Sequence, residues 1–144
     1  MMYKLANFIA ESNKIEGEST KMAQEVSIYE WFLANDLTED NTKEFHKRLC
    51  DAREQLQKKY RGVYRDCIVY IGGEARSPDL MDKHMKRLFE DMPEPYEFHQ
   101  RFEHIHPFVD LNGRVGRAAW LHQMLEKQDV PLGFLHTWYY QSLA

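Results

Sequence analysis

Between residues 20 and 37 the apolar side chains Met22, Val26, Tyr29, Phe32 and Leu33 recur at three- and four-residue steps, the period that lines up one face of a helix. The stretch TEDNTKEFHKRLCDAREQL, residues 38–56, repeats it with Phe45, Leu49, Ala52 and Leu56, and Thr38 stands where an N-cap hydroxyl would serve. The pattern then changes. In VYRDCIVYIGGEARS, Val63, Cys67, Ile68, Val69, Tyr70 and Ile71 are mainly β-branched or aromatic, and Gly72-Gly73 supplies a turn, so a small β-hairpin is predicted. Helical spacing returns in SPDLMDKHMKRLFEDM, with Ser77 as N-cap and Pro78 at the first helical position. YEFHQRFEHI and RVGRAAWLHQMLEKQ predict two further helices, and GFLHTWYYQSL a short last one. The predicted fold class is all-α, mainly helical, with one small β-hairpin.

Composition narrows the class of function. A chain of 144 residues fits a single domain over 1–144, large enough to bury a core without staples. No repeat, low-complexity tract or Gly/Ser/Pro linker divides it. The net charge of −4 argues against a general nucleic-acid binder, although a pocket for nucleotide needs only a few positive charges. Cys50 and Cys67 form neither a metal-ligand spacing nor a disulfide framework, so a reducing compartment is expected. The opening MMYKLANFIAESNK is interrupted too early by Glu11 to read as a signal peptide, and no run approaches the roughly 20 apolar residues of a membrane span. The expected location is the cytoplasm.

Between the last two long helices stands HPFVDLNGRVGR, residues 106–117, where candidate chemistry concentrates. Asn112 and Gly113 lie where a loop turns into a helix, and the amides and dipole of such a turn attract anions. Arg114 and Arg117, three residues apart, share a face and together can grip a polyphosphate. Asp110 is a hard oxygen ligand suited to Mg²⁺ bridging phosphates. His106, with an ordinary pKa near ~6.5, can accept the proton of an attacking hydroxyl. A base, a metal ligand, two cations and an anion cradle describe phosphoryl or nucleotidyl transfer.

The same twelve residues resemble the Fic-domain signature: His-Pro-Phe, any residue, an acid, Gly-Asn-Gly-Arg, two of any, Arg. Eight of its nine specified positions agree, and Leu111 stands in place of a glycine. HQRFEHIHPF is similar to the helix leading into that motif, and YRDCIVYIGG to the family's flap hairpin. The resemblance implies transfer of AMP from ATP to a hydroxyl of a target protein. His106 would deprotonate the target Ser, Thr or Tyr, and Asp110 would hold Mg²⁺. Asn112 and the amides around Gly113 would cradle phosphates, while Arg114 and Arg117 hold the β/γ end. Phe108 would pack the loop into the core. The flap, Cys67, Ile68, Val69, Tyr70 and Ile71, would dock the target backbone as an added strand.

SNKIEG, residues 12–17, resembles the inhibitory motif of one Fic class: Ser or Thr, three of any, Glu, then Gly or Asn. Ser12 to Glu16 spans one helical turn, and Gly17 is a good C-cap. The resemblance implies that Glu16 pairs with Arg117, takes the space of the γ-phosphate, and leaves ATP in an unreactive orientation. At Leu111 the family glycine is expected to serve positive φ or close approach of a phosphate or the flap. A left-handed leucine costs on the order of 1–2 kcal/mol, whereas a clash with nucleotide would disable the cradle. Other readings stay open here: a catalytically impaired nucleotide-binding Fic module, another transferred nucleotide, or removal of AMP. The target protein, and whether copies of the chain form a homo-oligomer, stay open too.

Overall fold

The computed structural model describes residues 2–127. Its elements are α1 (Met2–Ile15), α2 (Met22–Ala34), α3 (Glu39–Arg53), a 3-10 turn (Lys58–Tyr60), β1 (Val69–Ile71), β2 (Glu74–Arg76), α4 (Met81–Asp91), α5 (Pro95–Ile105) and α6 (Asn112–Lys127). The mainly helical fold with one hairpin is as the periodicities predict. The helix expected over 133–143, and the last residue of the one expected over 114–128, lie outside the described residues.

Local chemistry explains where the elements begin and end. The helical turn expected at 12–16 is the end of a longer helix, α1, whose Leu5, Phe8, Ile9 and Ser12 are buried at helical spacing. Thr38 caps α3, its hydroxyl accepting the Asn41 N–H at 3.1 Å. That helix stops sooner than its pattern predicts, because Glu54 turns left-handed at φ 53°. Leu56 therefore leaves the α3 face and packs on the core from the following loop. The expected start of α4 is also corrected. The Ser77 hydroxyl accepts from the Asp79 N–H at 3.0 Å, making a local turn instead of a cap. Leu80, left-handed at φ 60°, then takes the N-cap position, and Pro78 lies outside the helix.

The hairpin is shorter than its apolar run. Val69 pairs with Arg76, Tyr70 with Ala75 and Ile71 with Glu74. Gly72 and Gly73 both have positive φ, 59° and 81°, as a type I′ turn demands. Cys67 and Ile68 lie on the approach to β1 and are exposed, as is Tyr70.

Aromatic rings fill the centre of the bundle. Phe32 stacks on Phe45 with centroids 4.3 Å apart, Tyr29 meets Phe45 edge-on at 5.0 Å, and Phe8 stacks on Trp120 at 6.4 Å. Helix α6 packs against α1, α2, α3 and α5 and is buried along its sides from Arg114 to Met124. Its N-terminus therefore opens where α1, α3 and α5 converge. Among the described residues no helix is long and apolar enough to cross a membrane.

Candidate active site

Residues 106–111 join α5 to α6, and three side chains hold this loop. Asn112 clasps Phe108: its Oδ1 accepts the Phe108 N–H and its Nδ2 donates to the Phe108 carbonyl, both at 2.8 Å. The side chain of Asn112 is thus committed to the loop. The Phe108 ring, fully buried, stacks on His46 of α3 at 3.8 Å with planes 6° apart. His46 is fixed in turn. Its Nδ1 accepts the Gly62 N–H at 2.9 Å, so Nε2 carries the proton and donates to the Asp110 carbonyl at 3.0 Å. Burial pushes its pKa down to about 4, so the ring stays neutral. The Asp110 carboxylate is exposed, accepting from the Leu111 N–H at 2.8 Å and from Gln55 at 3.3 Å.

His106 forms the C-cap of α5 at φ 52°, with its N–H on the Phe102 carbonyl at 2.9 Å. Burial lowers its pKa below the ordinary histidine value, and the nearby charge of Arg65 acts in the same direction. The imidazole is therefore neutral at neutral pH, the form that accepts a proton. Arg65, just before the hairpin, holds the loop from outside: its Nε donates to the His106 carbonyl at 2.6 Å and its N–H to the Pro107 carbonyl at 2.8 Å.

At the head of α6 the amides of Asn112, Gly113 and Arg114 have no intrahelical acceptor, since the first helical bond runs from the Val115 N–H to the Leu111 carbonyl at 3.0 Å. Such a terminus draws anions. The end of α1 reaches this point. Arg117 donates from Nε to the Ser12 hydroxyl at 2.8 Å, and from Nη2 to the Ser12 carbonyl at 3.0 Å and Glu16 Oε1 at 2.9 Å. Arg114 donates to Asn13 Oδ1 at 3.3 Å. Gly17, at φ 70°, ends α1 with the paired bonds of a Schellman motif, Glu18 N–H to the Asn13 carbonyl and Gly17 N–H to Lys14. Gly113 leaves the room this pairing needs, for a Cβ there would stand 2.7 Å from Glu16 Oε1 and 3.0 Å from Arg117 Nη1. The Glu16 carboxylate thus lies over the first turn of α6, bonded to Arg117.

Sequence reasoning singled out His106, Asp110, Arg114, Arg117 and the Ser12–Glu16 turn, and of these the fold brings Ser12 and Glu16 onto Arg117. It missed Arg65, His46, Gln55 and Asn13. Asn13 lies inside the quoted SNKIEG, but nothing in its neighbourhood marks it as an arginine partner. Leu111 has the left-handed backbone expected of the glycine position, φ 65°. Its side chain is 3% exposed and belongs to the hydrophobic core.

A family model described as the Fic/DOC family matches residues 36–124. The chain belongs to the Fic/DOC family. The Fic match runs through α3, the hairpin, α4, α5 and the loop to Met124 in α6, so every loop residue discussed above falls inside it. Ser12 in helix α1, and Glu16 and Gly17 in the turn that follows it, lie outside it. Comparison with curated proteins returns no match. Fic enzymes in general act in nucleotidyl transfer, with nucleotides and protein targets as partners.

Proposed function

We propose that this Fic domain transfers AMP from ATP to a Ser, Thr or Tyr hydroxyl of a target protein, and that its own α1 restrains it. One observation carries the reading: the Glu16 carboxylate bonded to Arg117 over Gly113, beside a loop that starts with a neutral histidine. In this mechanism His106 takes the proton of the target hydroxyl as its oxygen attacks the α-phosphorus. The bond to the β-phosphate breaks, pyrophosphate leaves, and AMP stays on the target oxygen. The amides at the head of α6, with Arg114 and Arg117, hold the phosphates and receive the negative charge that builds on them. Asp110 would hold Mg²⁺. Among the described residues no three His, Cys, Asp or Glu cluster as a metal cage, and one exposed carboxylate completed by phosphate oxygens and water is how Mg²⁺ is commonly bound. When bound, the ion offsets phosphate charge. The target backbone adds to the hairpin as a strand, near the approach residues Cys67 and Ile68. Two free cysteines and a net charge of −4 fit a cytoplasmic enzyme whose partners are not nucleic acid.

Restraint follows from competition for one position. A phosphate oxygen and the Glu16 carboxylate both seek Arg117 and the α6 amides, and the tethered carboxylate is always present. The test is incubation with labelled ATP and Mg²⁺. Glu16→Gly should raise labelling about tenfold or more, a relief of roughly 1.4 kcal/mol. Adding His106→Ala to that variant should remove about 10²-fold or more of the rate while ATP affinity holds. If Glu16→Gly binds ATP no better than the parent and labels nothing, the proposal fails.

A further inference from the structure

Arg65 is 3% exposed, and among the described residues no carboxylate pairs with it. Its guanidinium is spent on backbone carbonyls from two separate segments. Toward the histidine loop, Nε donates to His106 at 2.6 Å and Nη2 to Ile105 at 3.2 Å. Toward the hairpin, Nη1 donates to Cys67 at 2.9 Å, just before β1, and to Arg76 at 3.0 Å, the end of β2. Its own N–H adds the bond to Pro107 at 2.8 Å. Each end of the hairpin is thereby tied to the residue that carries the base.

Burying a cation without an anion is unfavourable unless its donors are satisfied, and a planar fork of five N–H groups is the side chain able to span two segments at once. A hairpin of two three-residue strands has little else to fix it: Tyr70 is exposed, the two strands pair only with each other, and Arg76 Nη1 makes a long contact of 3.5 Å with His104 Nε2 of α5. We propose that Arg65 is a positioning residue that locks the hairpin to the histidine loop, so that a hydroxyl presented along the hairpin arrives in register with His106. This rests on the AMP-transfer reading for its catalytic consequence, whereas the mechanical coupling stands without it. Besides burial, Arg65 and Arg76 press the His106 pKa down, whereas a hydrogen bond with the Glu103 backbone and the charge of Asp110 press it up.

The test uses the full chain. Amide exchange is measured at residues 67–76 and 105–107, with the His106 titration followed by NMR, in the wild type, Arg65→Gln and Arg65→Lys. Arg65→Gln should raise exchange in both segments together, by about tenfold, the equivalent of one net hydrogen bond lost. It should also move the His106 midpoint upward, because a neighbouring positive charge is gone. Arg65→Lys keeps the charge, so the midpoint should stay; a single ammonium cannot span both segments, so exchange should still rise. In the Glu16→Gly background both variants should transfer AMP on the order of 100-fold more slowly, the effect of roughly 1 Å of misplacement, with ATP affinity within about threefold. Faster exchange in one segment alone, or Arg65→Lys transferring at the parent rate, would overturn the coupling. If the Glu16→Gly parent transfers nothing, it is the AMP-transfer reading that fails, and exchange still decides the role of Arg65. Should Arg65→Gln lose the fold by circular dichroism, Arg65→Lys carries the same comparison.

Discussion

At Leu111 the backbone stands at φ 65°, where a Cβ crowds the following carbonyl, while the side chain fills a place in the core beside α6. The two effects oppose each other in Leu111→Gly. Relief of the left-handed strain returns roughly 1–2 kcal/mol, and loss of a buried leucine costs about 2–5 kcal/mol. The fold is therefore expected to weaken by on the order of 2 kcal/mol, read by urea denaturation. Because the side chain turns into the core, ATP affinity should move less than about threefold. A tenfold gain in affinity would instead put the leucine in the nucleotide's space.

Helix ends make the site, because only there do backbone groups lack helical partners. The end of α1 delivers the Ser12 carbonyl and the Glu16 carboxylate to Arg117, and that carboxylate lies over Gly113 in the first turn of α6. Gly17 lets the chain turn directly after Glu16, which follows the last residue of α1, and Gly113 keeps the opposite face clear. Gly113→Ala should therefore break the Glu16–Arg117 contact without freeing the seat, since the new methyl group stands in it. In a Glu16→Gly background it should weaken ATP binding about tenfold or more by calorimetry. Undiminished affinity there would remove the head of α6 from the phosphate site.

The bundle ties these ends together through buried polar groups. Glu25, 1% exposed, accepts from Asn13 at 3.1 Å, from the Lys21 N–H at 2.6 Å and from Arg53 at 3.1 Å, so α1, α2 and α3 meet on one carboxylate. Through Asn13 that network continues to Arg114. Two buried histidines make the fold sensitive to acid. Burial holds His46 and His99 down to about 4, against an ordinary value near 6.5. Below pH 6.5 the unfolded chain takes protons at these histidines that the native state refuses, so their contribution to stability falls as pH drops from 6.5 towards 4, while Glu103, its carboxyl pushed up to about 7 by burial, contributes in the opposite direction. His46 alone should contribute a loss on the order of 3 kcal/mol across that window. Urea midpoints from pH 7 to pH 4 should fall less steeply in His46→Gln, although that variant starts lower. An equal slope in both would exclude His46 as a source of acid lability.

Much of this was legible in the chain, because much of it is local. Helical periods, the Thr38 cap and the Gly72-Gly73 turn act over a few residues, so the helices and the hairpin could be read before any contact was known. His106, Asp110, Arg114 and Arg117 sit within twelve consecutive positions, and the proposed chemistry was read from their side-chain types. Errors fell at boundaries. The apolar pattern ran on past Glu54 and back to Ser77, while left-handed residues and a serine turn ended or delayed the helix. The supports of the site were hidden for a different reason. Arg65, His46 and Asn13 act across separations of 41, 64 and 101 residues. Arg65 and His46 act there on backbone carbonyls, which every residue carries alike. No residue type marks such a partner. Only packing α1, α3 and the hairpin around the head of α6 brings those groups within hydrogen-bond distance, and with them the rigidity that turns a motif into a site.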